Sequence, residues 1–261
     1  MHQLRLFFIA LQFFTRLPIP GWVGFKPEWL QGCAGYFPLV GALLGLISGA
    51  LLLGALQLFP PSVAVGLAMV LGLWLTGGFH EDGLADSFDG LGGGHTRERV
   101  LAIMKDSRIG SYGALALIMV LGLKAACLVA LAEIDPVLAA AALAWGQCAS
   151  RAAPVWLMHT LPYAGDAEHA KAKPLATQIS PPGLALALGW VLLASLGWAL
   201  AMPDDVPLIT GALLALAAMT LYLQSKLERR LGGYTGDTLG ASQQLGELAA
   251  LLALLALTRW F

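Results

Sequence analysis

Long apolar runs separated by short polar loops are the feature of this sequence that most restricts its fold. Of the 261 residues, 58% are hydrophobic and 12% are charged, which is about half the charged fraction of a soluble globular domain. The charge is concentrated in the loops. This alternation predicts an all-α fold, a polytopic integral membrane helical bundle that forms a single membrane-embedded domain over residues 1–261.

Seven of the apolar runs have, or approach, the length that a hydrocarbon core of about 30 Å requires. They cover residues 35–59, 63–76, 114–132, 137–158, 184–202, 208–223 and 245–257. A further run at 4–14 is too short to span and ends in a proline-rich segment, so it predicts an N-terminal interfacial helix. In the first span, Gly41, Gly45 and Gly49 form a row of small residues against which another helix, in this chain or in a partner, can pack closely.

The basic residues are distributed unequally between the two predicted membrane faces. With a cytoplasmic N-terminus and seven spans, the loops at 79–110, 159–180 and 226–243 face the cytoplasm. Twelve of the fifteen lysines and arginines then lie on that face: Arg5, Arg16, Lys26, Arg97, Arg99, Lys105, Arg108, Lys171, Lys173, Lys226, Arg229 and Arg230. The positive-inside rule therefore predicts that these loops are cytoplasmic. Lys124 lies inside an apolar run, where a snorkelling side chain is the simplest interpretation.

Net charge and cysteine usage exclude some classes of partner and site. A formal net charge of −1 offers no bulk positive field, so no nucleic acid partner is expected. Cys33, Cys127 and Cys148 lie in apolar runs without CxxC spacing. They are interpreted as small buried side chains, not as a disulfide framework or a structural metal site.

The segment 77–113, GGFHEDGLADSFDGLGGGHTRERVLAIMKDSRIGSYG, is the one long polar interruption of the chain. It holds six of the sixteen acids and four of the fifteen bases: Glu81, Asp82, Asp86, Asp89, Glu98 and Asp106, with Arg97, Arg99, Lys105 and Arg108. In a helix, Asp82, Asp86 and Asp89 share one face over about 10 Å. Three carboxylates on one stripe repel each other unless a cation neutralises them, and such hard oxygen ligands suit Mg²⁺.

We therefore predict a metal and phosphate site in this segment, with Asp82, Asp86, Asp89 and Glu81 as the metal ligands. Lys105 and Arg108 supply cations for phosphate oxygens. Gly83 permits close approach of a substrate. Carboxylates for a metal, cations for phosphate and flexible glycine together indicate phosphoryl transfer.

Two other interpretations of the segment were weighed. A mixed charge run in a membrane protein is ordinarily a solvated loop, but the helical register of the aspartates and the glycine density favour a site. An ion pathway through an ion-coupled transporter requires charged residues that face each other at mid-membrane. The acids of this segment cluster at a membrane edge instead.

A second polar stretch, GGYTGDTLGASQQ at 232–244, carries Asp237 just before the last span. A lone acid in a glycine-rich turn is ordinarily a turn residue or a helix cap, and a shared site with the first segment is the alternative. Arg151, near the cytoplasmic end of its predicted span, would reach the substrate, and Glu247 is a weaker candidate for the same cavity. The predicted substrate-binding residues are Glu81, Gly83, Asp106, Arg151 and Asp237.

Several motifs together resemble the cobalamin synthase family of adenosylcobinamide-GDP ribazoletransferases. They are HEDGLADSFDG, IMKDSRIGSYG and GGYTGDTLGA, with FFTRLPIP near the start and YFPLVGALLG in the first span. The resemblance extends over about residues 8–244. Any one of these motifs alone would be a weak signal, whereas the combination is specific.

The resemblance implies the last assembly step of adenosylcobalamin at a bacterial inner membrane. An α-ribazole hydroxyl attacks the phosphate joined to the cobinamide arm, GMP leaves, and Mg²⁺ assists. Asp82, Asp86, Asp89, Lys105 and Arg108 would be the catalytic residues, in an active site that faces the cytoplasm. The acceptor is α-ribazole or its 5′-phosphate, and one of these acids would instead be the general base that takes the ribazole proton. A second copy of the chain, or other cobalamin-assembly enzymes, would be the protein partners.

A CDP-alcohol phosphotransferase is the alternative enzyme, because it also displaces a nucleoside monophosphate at a membrane. Its pattern requires DGxxAR followed by GxxxDxxxD. Asp82-Gly83-Leu84-Ala85 begins the match, but Asp86 and Ser87 stand where the alanine and the arginine are expected, and no GxxxDxxxD follows. The ion-coupled transporter is the third alternative.

Overall fold

The computed structural model describes residues 1–165 and 179–260, which form α-helices joined by short connections. In chain order the helices are α1 (His2–Phe14), α2 (Pro27–Cys33), α3 (Phe37–Ala55), α4 (Pro61–Thr76), α5 (Phe79–Gly93), α6 (Arg97–Met104), α7 (Ser111–Ile134), α8 (Pro136–Ala149), α9 (Ala152–Thr160), α10 (Pro181–Ala201), α11 (Val206–Leu231) and α12 (Gly236–Leu257). In this part of the chain, β-type pairing is limited to one isolated bridge between Tyr163 and Tyr234. The all-α prediction is confirmed. Lys171 and Lys173, which the topology prediction counted, lie outside the described residues.

Several of these helices are long and apolar enough to cross a membrane. Within the described ranges, five segments qualify by length and composition: Trp29–Ala55, Ser111–Ile134, Pro181–Ala201, Pro203–Leu231 and Gly236–Leu257. α4 and α5 meet at 88° and add a sixth if the bent pair is one span. The multi-pass helical bundle is confirmed, with five or six qualifying segments beside the seven expected. The run at 137–158 is divided into α8 and α9, on either side of Arg151.

The N-terminal helix α1 is too short to cross a bilayer, as predicted. Its 13 residues extend about 20 Å at 1.5 Å per residue. Leu6, Ile9, Leu11 and Phe14 are buried against the bundle. The helix is therefore fastened to the protein along one face.

A sharp corner between α4 and α5 sets the direction of α5. Gly77 and Gly78 have φ angles of 68° and 71°, a conformation that glycine adopts without strain. The guanidinium of Arg16 lies against this corner, and a Cβ on Gly77 would be 2.9 Å from its Nε. The backbone N–H of Arg16 also donates to the carbonyl of Leu75 at 2.8 Å. The corner therefore needs glycine at Gly77 both for its backbone conformation and for the space that Arg16 fills.

The row of small residues in α3 packs inside this chain. Gly41, Gly45 and Gly49 face the backbone of α8 at Gln147, Ala144 and Ala140. A Cβ on Gly45 would lie 2.5 Å from the carbonyl oxygen of Ala144. The predicted close approach of a helix to this row is confirmed, and α8 of the same chain is that helix.

Two glycines bring α5 and α12 into backbone contact. A Cβ on Gly83 would lie 2.7 Å from the carbonyl oxygen of Asp237, and one on Gly240 would lie 3.0 Å from that of His80. Side chains larger than hydrogen would separate the two helices at these positions. The polar segments 77–113 and 232–244, far apart in the sequence, therefore lie against each other.

Candidate functional site

Helix α5 carries the three aspartates at the helical spacing that the sequence predicts, but their exposure differs. Asp82 is exposed, Asp86 is half-buried and Asp89 is buried. Glu81 and Asp82 lie in the first turn, where the positive end of the helix dipole favours negative charge. Asp82 is therefore the one of the three that faces solvent most openly.

Asp89 holds the start of α7 through both of its carboxylate oxygens. The backbone N–H of Gly110 donates to Oδ2 at 2.7 Å, and that of Gly113 donates to Oδ1 at 2.8 Å. A Cβ on either glycine would collide with this carboxylate. The first N–H groups of a helix have no partner within the helix, so Asp89 satisfies donors that would otherwise be left without a partner. The structure thus gives Asp89 a defined role in fastening α7 to α5.

We expect Asp89→Asn to lower stability by about 1.5–3 kcal/mol, because an amide cannot accept from both N–H groups and loses the charge that strengthens them. Equilibrium unfolding in mixed micelles would measure the loss. The Mg²⁺ concentration for half-maximal activity is expected to stay within twofold of wild type. A large shift in that concentration with unchanged stability would instead assign Asp89 to the metal.

The start of α12 is a well-capped helix N-terminus. Thr235 and Thr238 form a capping box, with the Thr238 N–H donating to Thr235 Oγ1 at 3.3 Å and the Thr235 N–H to Thr238 Oγ1 at 2.8 Å. Asp237 lies between them in the first turn, and its backbone touches Gly83. Burial, with a smaller contribution from Tyr163, raises the pKa of the neighbouring Tyr234 to about 12, so that phenol stays protonated.

The loop after α6 presents Lys105, Asp106 and Arg108. Arg108 donates from Nε to Asp106 Oδ1 at 3.0 Å and from Nη2 to Oδ2 at 2.7 Å. These hydrogen bonds, with the attraction between the charges, raise the pKa of the Arg108 guanidinium, which is therefore always cationic. The loop ends at Gly110, which Asp89 binds, so it is fastened to α5. Arg108 itself is exposed at the surface.

Two other arginines of the predicted cytoplasmic face hold helix ends together. Arg97 donates to the carbonyl of Leu231 at 2.8 Å and to that of Ala164 at 2.9 Å. Arg230 donates to the carbonyl of Gly94 at 2.7 Å. Cations at carbonyl-rich helix C-termini are favourable. These arginines therefore join α5 and α6 to α11.

The interior of the bundle holds a hydrogen-bonded group of polar side chains that begins at α5. Gln244 Nε2 donates to Glu81 Oε1 at 2.8 Å and to Gln243 Oε1 at 2.9 Å. Gln243 Nε2 donates in turn to Ser150 Oγ at 2.8 Å and to Glu247 Oε2 at 3.0 Å. The group therefore connects the first turn of α5 to the centre of α12.

The same group continues to α7 and α8 through Glu247. Lys124 Nζ lies 2.7 Å from Glu247 Oε2, and Gln147 Nε2 donates to Glu247 Oε1 at 3.1 Å. Arg151 donates to the carbonyl of Gln147 at 2.6 Å and to its Oε1 at 2.7 Å. Both members of the Lys124–Glu247 pair are almost fully buried, so the snorkelling interpretation of Lys124 is wrong. A buried ammonium pairs with a carboxylate because hydrocarbon offers it no water.

The sequence interpretation missed Gln147, and it gave no role to Gln243 and Gln244, which end the polar stretch 232–244. A usable signal was present, because Gln243, Gln244 and Glu247 lie within one or two helical turns where the last predicted span begins. Polar side chains inside apolar helices are rare and are usually bonded to each other. Of the predicted residues, the structure brings Gly83 against Asp237, and it places Glu81 and Arg151 in the interior group.

Long apolar helices surround a polar interior, and acids lie at the contact of α5 and α12. These features define a multi-pass membrane protein with a polar site inside its helical bundle. Comparison with known families narrows this class. The chain belongs to the Cobalamin-5-phosphate synthase family, whose model matches residues 6–255.

Similar proteins cover almost the whole chain. A protein of Leptothrix cholodnii is 57% identical over 257 residues, covering 98% of this chain and 97% of its own length. A protein of Shewanella pealeana is 45% identical over 260 residues, covering 98% of this chain and 96% of its own length. A protein of Polaromonas naphthalenivorans is 42% identical over 273 residues, covering 96% of this chain and 97% of its own length. Each is named adenosylcobinamide-GDP ribazoletransferase. No solved structure matches the chain.

Proposed function

We propose that the protein joins α-ribazole, or its 5′-phosphate, to adenosylcobinamide-GDP and releases GMP. This is the transfer of a phosphorus-containing group, and the other product is adenosylcobalamin or its 5′-phosphate. The family match and the names of the relatives support the substrate. The observation that carries the site is the backbone contact at Gly83, which brings the acids of α5 beside Asp237.

The chemistry is an in-line displacement at phosphorus. The ribazole hydroxyl oxygen forms a bond to the phosphorus joined to the cobinamide arm, and the bond from that phosphorus to the oxygen of GMP breaks. The hydroxyl proton passes to a carboxylate or to solvent, and GMP leaves with the bridging oxygen. Positioning and charge neutralisation supply most of the rate enhancement in such transfers.

Asp82 and Asp86 are the residues that we place on Mg²⁺. Among the described residues, no three His, Cys, Asp or Glu side chains form a group that could hold a metal. Mg²⁺ usually takes one or two carboxylates and completes its shell with water and substrate phosphate, so a pair one helical turn apart fits it. When bound, the ion would neutralise charge on the phosphate oxygens. Asp89 and Glu81 already accept hydrogen bonds from Gly110, Gly113 and Gln244.

Lys105 and Arg108 are proposed to hold phosphate oxygens from the loop after α6. That loop is fastened to α5 through Gly110 and Asp89, which supports a location near the acids. Arg108 is bidentate to Asp106 and would exchange the two carboxylate oxygens for two oxygens of a phosphate, which a guanidinium also binds in a bidentate manner. Asp106 then serves as the counterion of Arg108 between turnovers.

The bacterial inner membrane is the proposed location, with the site open to the cytoplasm where nucleotide substrates are found. The twelve basic residues of the predicted cytoplasmic face support this orientation. A cysteine-accessibility experiment on Ser107→Cys in spheroplasts would test it. Labelling by a membrane-impermeant maleimide only after the cells are lysed is expected, and labelling of intact spheroplasts would contradict the orientation.

The test of the activity measures GMP release by the purified protein in lipid nanodiscs. Adenosylcobinamide-GDP, α-ribazole 5′-phosphate and Mg²⁺ are expected to give one GMP for each cobalamin 5′-phosphate formed. Omission of the acceptor, or removal of Mg²⁺ with a chelator, is expected to lower the rate at least about a hundredfold. No GMP in the complete mixture would refute the proposal.

One observation bears on the transporter alternative. Charged residues that face each other inside the membrane were expected to be scarce, yet Lys124 and Glu247 form such a pair in the bundle. Ion flux through liposomes that contain the protein would separate the two functions. Flux without GMP release would favour transport, and GMP release without flux would favour the transferase.

A further inference from the structure

A cavity lies inside the bundle where α3, α4, α7, α8 and α12 surround the first turn of α5. Its polar lining includes His80, Glu81, Lys124, Arg151 and Gln244, and the volume open to the centre of a water-sized group is about 30 Å³. Glu81 is the chain neighbour of Asp82. The cavity and the proposed phosphate site therefore share one helical turn.

Four polar atoms around this cavity are buried and have no hydrogen-bond partner among the residues that the structure describes. They are His80 Nε2, Glu81 Oε2, Arg151 Nε and Gln244 Oε1. His80, Arg151 and Gln244 are exposed to only 3%, 1% and 2%. Unpaired polar atoms are costly to bury, so their convergence on one cavity indicates a site for a group that can pair with them.

The hydrogen-bonding character of these atoms restricts the class of ligand. Gln244 donates both N–H groups to Glu81 and Gln243, so its Oε1 is left as an acceptor. Glu81 Oε2 is a second acceptor, while Arg151 Nε–H is a donor. A ligand must therefore donate at one end and accept at the other.

The charges around the cavity restrict the ligand further. Lys124 is paired with Glu247, which does not itself line the cavity, and the charge of Arg151 is opposed by that of Glu81, so each cation of the lining has an acidic neighbour. An anion would face the unpaired oxygen of Glu81, and a cation would face the Arg151 guanidinium. Both arrangements are unfavourable in a buried site. A neutral group with N–H donors and a carbonyl acceptor fits, and a primary carboxamide is such a group.

We infer that this cavity receives a primary carboxamide side chain of the corrinoid substrate. The inference rests on the proposed function, since a cobinamide carries several such side chains around its ring. The amide N–H groups donate to Glu81 Oε2 and Gln244 Oε1, and the amide oxygen accepts from Arg151 Nε–H. The cavity thereby recognises the corrinoid half of the substrate, and the acids of α5 face its phosphates.

The experiment compares adenosylcobinamide-GDP with its monocarboxylate isomers, in each of which one side-chain carboxamide has been hydrolysed. GMP release is measured with α-ribazole 5′-phosphate as acceptor. For wild type, at least one isomer is expected to have a kcat/KM about tenfold or more below that of the full amide, because its carboxylate meets Glu81. Equal use of every isomer would refute the carboxamide site and leave water as the occupant of the cavity.

Gln244→Met tests the residue, and Gln224→Met is its matched control. Gln224 lies on α11 outside the hydrogen-bonded interior group, where it accepts from Trp156 Nε1 at 2.7 Å, and it does not line the cavity. Gln244→Met is expected to raise the KM for adenosylcobinamide-GDP about tenfold, with the KM for the acceptor within twofold of wild type. Gln224→Met is expected to keep the wild-type KM for adenosylcobinamide-GDP and the wild-type selectivity among isomers.

The outcomes distinguish this inference from the proposed function. Identical profiles for the two methionine variants would refute the site. The isomer series on wild type needs no variant, so it decides the question even if Gln244→Met does not fold. Absence of GMP release by wild type with the full amide would contradict the proposed function itself, and with it the substrate on which this inference rests.

Discussion

Asp82→Asn is expected to lower GMP release at least about a hundredfold while the protein remains folded. The carboxylate is exposed on the first turn of α5, one residue from the contact with α12. Loss of a charged group that stabilises a transition state ordinarily costs a factor of about 10²–10³. An exposed Asp→Asn change typically alters stability by less than about 0.5 kcal/mol. The measurement is the GMP release assay in nanodiscs, beside an unfolding curve.

The matched control for this variant is Asp204→Asn. Asp204 is an equally exposed acid in the turn that joins α10 to α11, at the opposite end of α11 from the start of α12. We expect wild-type activity from it. GMP release by Asp82→Asn within twofold of wild type would remove Asp82 from the mechanism, and added Mg²⁺ that restores part of a lost rate would support its role as a metal ligand.

Lys124→Met is expected to destabilise the protein by about 3–5 kcal/mol, which is the usual cost of removing one partner of a buried ion pair. The Glu247 carboxylate would remain fully buried without its ion-pair partner, and it would keep only the hydrogen bonds from the amides of Gln147 and Gln243 and the more distant Arg151 guanidinium. Because Glu247 connects through Gln243 and Gln244 to Glu81, activity is expected to fall as well. Equilibrium unfolding in mixed micelles measures the stability.

A second substitution separates the lost charge partner from lost packing. The double variant Lys124→Met/Glu247→Gln removes both charges of the pair, so neither is left buried without its partner. It is expected to recover most of the stability that Lys124→Met alone loses. Lys226→Met is the control at a half-buried lysine, whose ammonium lies 5.7 Å from the Tyr222 ring, and it is expected to cost less than about 1 kcal/mol. Equal losses in the single and double variants would show that packing, not charge, is the cause.

Much of the fold could be predicted because its causes are local in the sequence. Apolar runs of sufficient length identify membrane helices without knowledge of their neighbours, and the predicted spans outside 137–158 each coincide with one described helix. The helical spacing of Asp82, Asp86 and Asp89 was predicted for the same reason, since periodicity needs no tertiary contact. The division between α8 and α9 was missed, because the run 137–158 is apolar apart from Gln147, Ser150 and Arg151.

By itself, then, the sequence determined the class of this protein, its polar segments and the family motifs they carry. The tertiary structure decided what each polar side chain does. Asp89 has the same spacing as Asp82, yet it binds two N–H groups of a helix start some twenty residues further on, and Lys124 is paired with Glu247 across the bundle. The physical reason is that an ionised or amide side chain inside a membrane bundle must find a partner, and packing at glycines such as Gly83 determines which partner lies within reach.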